Sequence, residues 1–198
     1  LYAMATAALA YACLCRAGSK PQSAAFLSLF YVMGCNMMWM STSGGVWFQA
    51  QALNMLLLTA CLLAAMAKRR ALAYALAALA VGCRPFSACV FLPLLAYFYG
   101  VDRAAGHSAL RSLVRQLPGL LPAALIGGAY MWYNWARFGN ILEFGHNYLP
   151  EFTDAEKGQF HLSYLPQNLK NILLRPVTID GQGRLSFPYF DGFLFYIA

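Results

Sequence analysis

Charge is what this sequence has least of. Charged residues make up 11% of its 198, whereas soluble domains carry about a quarter. Only seven are acidic. With 61% hydrophobic residues and a mean hydropathy of +0.53, the chain has too little polar surface to cover a water-soluble core. A secretory signal pattern is missing: the first apolar run is followed by Arg16 and Lys20, rather than preceded by a basic region and followed by a cleavage site. No Ser-His-Asp order, H-E-x-x-H or Walker motif occurs, and Asp180-Gly-Gln-Gly183 reads as a turn with too few glycines for a phosphate loop. His107 and His161 have no second ligand at metal spacing. The six cysteines (Cys13, Cys15, Cys35, Cys61, Cys83 and Cys89) sit in or beside apolar segments and none in the long polar stretch. That distribution argues against a disulfide framework or zinc site and leaves apolar packing. The net charge of +7 is accounted for by basic residues collecting in cytoplasmic connectors, so nucleic acid is not an expected partner.

What is abundant is alanine and leucine in long runs. About 20 apolar residues cross roughly 30 Å of hydrocarbon. By that measure the spans are Leu1 to Cys15, Ala24 to Met40, Val46 to Ala67, a divided segment from Ala71 to Gly100, Leu113 to Trp135, and the start of another near Phe193. None shows strand alternation, and helices are predicted throughout. Both ends fall inside apolar runs, so a piece of a longer chain is expected. The predicted fold class is all-α: a polytopic helical membrane protein with one long extracytoplasmic loop bearing short interfacial helices.

Orientation follows from the Lys and Arg residues of the short connectors. Arg16 and Lys20 lie in the first connector, Lys68, Arg69 and Arg70 in the third, and Arg103, Arg111 and Arg115 ahead of Leu117, while Ser41 to Gly45 has none. All the basic connectors lie on the cytoplasmic side only if Ala71 to Gly100 enters and leaves by the same face. Arg84-Pro85 interrupts that segment near its middle, where proline removes a backbone donor and disfavours helix in the residue before it. Two short helices in a hairpin are therefore predicted, with Arg84 at the outer end, lining a cavity. The predicted division is a multispanning region 1–136, an extracytoplasmic loop region 137–191 and a further span starting at 192–198. Six of the seven acids fall in that loop region. Within it, Thr153-Asp-Ala-Glu156 matches a capping box. Leu165, Leu169, Ile172 and Leu173 recur at helical spacing, as for an amphipathic helix lying on a bilayer or packed on the rest of the protein.

A basic residue inside a membrane segment is a functional-site hypothesis. Arg84 is the clearest case, since its planar fork suits a phosphate or pyrophosphate at headgroup level; otherwise it snorkels or holds the turn. The second candidate is the run YNWARFGNILEFGHNYL, Tyr133 to Leu149, in which Asn134, Arg137, Glu143, His146 and Tyr148 bring polar groups onto a short loop after an aromatic belt. That is the composition of a sugar or phosphate site, and equally of a loop bonded to itself. Trp47, Gln49, Gln51 and Asn54 follow Gly44-Gly45, where Gln51 and Asn54 could bridge helices.

These runs, together with GVWFQAQALNMLLL and KRRALAYALAALAVGCRPFSACVFLPLLAYF, resemble the C-superfold integral membrane glycosyltransferases, near the protein O-mannosyltransferase and aminoarabinose transferase group. The resemblance implies a cell-envelope enzyme taking a sugar from a polyprenyl-phosphate donor to a glycan, lipid or protein acceptor on the extracytoplasmic face. It implies inversion by a carboxylate base, with the phosphate leaving group held by basic residues or, in some members, a divalent metal. The family's base is an aspartate just after its first span. No such residue stands in Ser41 to Gly45, so the base is expected upstream of this chain, no catalytic residue is assigned to Glu143, Glu151 or Asp154, and Arg84 is the expected donor-phosphate contact. A transporter or lipid flippase shares the broken helix and the embedded arginine, and a noncatalytic or polymerase subunit of cell-surface glycan assembly would share the long external loop.

Overall fold

The computed structural model describes residues 1–145, 148, 162–174, 178–179 and 181–186. The calls on the capping box at Thr153, on His146 and His161, and on the span near Phe193 lie outside them. Among the described residues the protein is mostly helical, as an all-α chain should be. α1 (Tyr2–Arg16) ends in a turn in which the Gly18 N–H bonds the Cys15 carbonyl at 3.0 Å with φ +92°, a left-handed conformation natural to glycine. α2 (Pro21–Met33) starts on a proline, whose fixed φ suits a first helical turn. The run expected as one span to Met40 is divided at Gly34, and α3 (Met37–Thr42) follows as a separate short helix.

α4 (Val46–Met66) is the longest uninterrupted apolar helix. Its end is closed by Lys68, the one described non-glycine residue with positive φ (57°), whose N–H reaches the Ala65 carbonyl while that of Arg69 reaches Ala64. α5 (Arg70–Cys83) stops at Arg84, which is extended at φ −147° and ψ 113°. A 3-10 turn, Pro85–Val90, then leads into α6 (Phe91–Ala104). The break falls where the proline demands it. α7 (Ala109–Val114) is capped by Ser108, whose side chain accepts from the Arg111 N–H, and α8 (Leu117–Phe138) carries Pro122 inside it. Among the described residues two stretches, Val46–Met66 and Pro85–Ala104, are long and apolar enough to cross a membrane. α5 is apolar but shorter, and α8 has the length while its Tyr, Trp, Asn and Gly residues dilute its hydropathy.

Two units divide between Tyr130 and Met131, inside α8, six residues ahead of the boundary at 136 expected from sequence. In the first unit α4, α5 and α6 share a core of Cys61, Ala64, Ala65, Ala73, Tyr74, Ala77, Ala78, Leu94 and Phe98, joined by Ala123 of α8. Alanines on facing surfaces let backbones approach closely, and dispersion then accumulates over many contacts. α1 packs against α2 and α4, and Val32, Met37 and Ala52 form a second cluster. Inward hydroxyls are bonded along their own helices, as from Thr6 to the Tyr2 carbonyl (2.8 Å) and from Thr59 to Met55 (2.7 Å). Among the described residues no buried side-chain oxygen or nitrogen lacks a partner. The outer faces are the reverse: Phe26 and Phe30 of α2 are 68% and 62% exposed. Alanines and hydroxyls point in, together with Tyr74, Phe98 and Met37, while many other bulky apolar side chains point out.

α5 and α6 run antiparallel, because Arg70 at the start of α5 bonds Asp102 near the end of α6. In the second unit, α9 (Tyr164–Leu174) is followed by an antiparallel pair, β1 (Thr178–Ile179) with β2 (Leu185–Ser186), in register Thr178 to Ser186. The turn between them includes Gly183 at φ +77°. α9 is inverted: Asn168 and Asn171 are buried while Leu165, Leu169 and Leu173 are exposed.

Candidate functional site

The hairpin bend carries the first candidate. Arg84 is held at the helix break by backbone rather than by charge: its N–H bonds the Ala80 carbonyl and its own carbonyl accepts from Ser87 at 2.9 Å. The side chain is half-buried. Its guanidinium lies 5.5 Å from the centre of the Trp47 ring and donates to the Trp47 carbonyl at 3.4 Å. Among the described residues no carboxylate pairs with it, and the ion pairs there belong to Asp102. An arginine partly withdrawn from water, resting on an aromatic face, keeps most of its fork open to an anion. Beside it Ser87 donates to Asn54 Oδ1 at 2.8 Å, so Asn54 bridges α4 to the turn while Gln51 stays exposed. Tyr130 lies against Gly82, its hydroxyl 3.4 Å from the Leu79 carbonyl.

The second candidate belongs to the other unit and is largely bonded to itself. Asn134 is buried and donates to the Ile141 carbonyl at 3.3 Å. Glu143 accepts from the Gly145 N–H at 2.7 Å, and Gly145 (φ +84°) packs under Phe138. Arg137 lies 5.0 Å over the Phe138 ring and donates to the Tyr133 hydroxyl at 3.2 Å. Tyr148 stacks on Phe138 at 5.5 Å between centroids. The structure thus gathers Asn134, Arg137, Glu143 and Tyr148 on one turn, with Asn134 and Glu143 occupied in shaping it and the Arg137 and Tyr148 side chains outermost.

A third cluster was not singled out from sequence. Asp102, the only acid ahead of Glu143, is buried and meets Arg70 at 2.7 Å and Arg115 at 3.2 Å. Arg70 also donates to the Arg115 carbonyl and lies 5.0 Å over the Phe98 ring. Below it Tyr74, fully buried and stacked on Phe91 at 5.9 Å, donates to Gln116 at 2.8 Å. One carboxylate therefore ties α5, α6 and the residues ahead of α8. The signal available in the sequence was the solitary acid inside a basic, apolar region. No group of three His, Cys, Asp or Glu residues lies together among the described residues, so none of these clusters has the donors to hold a metal ion by itself.

Comparison of the chain with known protein families, with curated proteins and with solved structures finds no match.

Proposed function

We propose that the chain is the membrane-embedded part of a glycosyltransferase that takes a sugar from a polyprenyl-phosphate donor on the extracytoplasmic face, with Arg84 meeting the donor phosphate. The observation that carries this reading is an arginine at a helix break, half-buried, lying on an indole, with no carboxylate paired to it among the described residues. Sidedness is supported by the Asp102 cluster. It brings the connector with Lys68 and Arg69 to the same end of the hairpin as the one with Arg103 and Arg111, opposite the bend that holds Arg84. The outward apolar surface and the two membrane-length helices favour lipid as the surrounding solvent.

In such a transfer the acceptor oxygen attacks the anomeric carbon, its proton passes to a carboxylate base, and the carbon–oxygen bond to the phosphate breaks. The departing phosphate gains negative charge as the bond lengthens. A fixed guanidinium beside it strengthens its interaction as that charge develops, which is the condition for lowering a barrier. Arg137 and Tyr148, at the exit of α8, are candidates for sugar or phosphate contact within their own unit. Arg84→Ala in the intact protein is expected to abolish transfer from a polyprenyl-phosphate sugar while leaving membrane insertion intact. Wild-type activity in that variant would end the assignment. The broken helix with an embedded arginine also suits a flippase, which would move labelled lipid across vesicles without making a glycoside.

A further inference from the structure

The basic end of the hairpin carries a surface that the glycosyl-transfer reading does not use. Leu110, Leu113, Val114 and Leu117 recur at helical spacing along α7 and into α8, and are 72%, 56%, 54% and 64% exposed. The opposite side of the same stretch carries Ser112 and Gln116, both buried, the first bonded to the Ser108 carbonyl and the second to Tyr74. A short helix facing water would turn these residues the other way. The Asp102 cluster sets cations around the stripe. Lys68 and Arg69 adjoin Arg70, Arg103 adjoins Asp102, and Arg111 precedes Arg115 by one turn. These four are exposed, and no carboxylate pairs with any of them among the described residues.

We infer that α7 is an interfacial helix that docks the basic end of the hairpin onto an anionic phospholipid leaflet. The leucine stripe enters the acyl boundary, and Lys68, Arg69, Arg103 and Arg111 meet headgroup phosphates. Charge complementarity selects this occupant: an apolar stripe ringed by cations that no described carboxylate neutralises matches a surface that is apolar beneath and anionic at its rim. The inference rests on the membrane part of the proposed function and is independent of glycosyl transfer.

The test uses the full chain reconstituted in phosphatidylcholine vesicles containing phosphatidylglycerol. Leu113→Trp reports on α7, and the emission it adds to that of the unsubstituted protein is quenched by brominated forms of either lipid at equal mole fraction. Stronger quenching by the brominated anionic lipid is expected, falling at high salt. Each basic side chain near an anionic surface strengthens attraction by about fivefold. Arg103→Gln combined with Arg111→Gln is therefore expected to cut the preference by about 25-fold. Equal quenching by the two lipids, a preference unchanged in the double variant, or no quenching because another protein surface covers α7 would each overturn the inference while leaving the membrane reading in place. Failure of the protein to float with vesicles would overturn both. Loss of glycosyl transfer alone would leave this inference standing.

Discussion

Asp102→Asn is the substitution whose cost the structure defines most closely. The carboxylate is 5% exposed, Arg70 17% and Arg115 47%. Removing one partner of a buried pair costs about 3–5 kcal/mol because the other charge is left uncompensated. An exposed pair contributes about 0.2–1 kcal/mol. The Arg70 arm stands near the first limit, softened by its bond to the Arg115 carbonyl and its place over Phe98. The Arg115 arm, half in solvent, stands near the second. Asparagine keeps an acceptor oxygen, so the expected loss is about 2–3 kcal/mol. A double-mutant cycle should give a coupling of about 2 kcal/mol between Arg70 and Asp102 and about 0.5 kcal/mol between Arg115 and Asp102. Reversible unfolding in mixed micelles, followed by helical circular dichroism, measures both. A neutral Asp102→Asn variant, or equal couplings in the two arms, would refute the idea that this carboxylate closes the hairpin.

Tyr74→Phe should cost about 1–2 kcal/mol in the same assay, because it strands a buried Gln116 oxygen. Gly82→Ala places a methyl 2.3 Å from the Tyr130 hydroxyl. The Tyr130 ring must swing aside, at a cost of up to about 1 kcal/mol, and the cost should be relieved when Tyr130 is made smaller, which a combined variant would reveal as non-additive unfolding. In intact cells, an impermeant thiol reagent should modify a single cysteine placed near Glu151 and spare one placed near His107. The opposite labelling pattern would invert the proposed orientation and remove Arg84 from its proposed place at the outer face.

The break at Arg84-Pro85 was readable because proline acts through local geometry that needs no partner, and the doubling back followed from where the basic residues stand. α9 was likewise visible in the spacing of Leu165, Leu169 and Leu173. Its inward asparagines were not, since spacing tells which residues share a face and not what that face meets. The division of Ala24 to Met40 at Gly34 escaped a hydropathy reading, as the residues around it stay apolar. The Asp102 cluster was hidden for another reason: Arg70, Asp102 and Arg115 are 32 and 13 residues apart in sequence, and only the antiparallel return of α6 brings them together. In the loop after α8 composition suggested polar groups, but spacing could not say that Asn134 and Glu143 would be taken up by the turn's own backbone.

The length of α5 has a consequence for biogenesis. At 14 residues it reaches about 21 Å, short of the hydrocarbon thickness, and its first residue is an arginine whose counter-charge lies 32 residues further on. On the proposed membrane reading, a nascent chain halted after Cys83 would offer the translocon a helix too short to settle alone and an arginine whose partner Asp102 is not yet made. The hairpin should therefore partition into lipid as a pair, after Asp102 has left the ribosome, and arrested chains ending between the bend and Asp102 should remain extractable or be degraded.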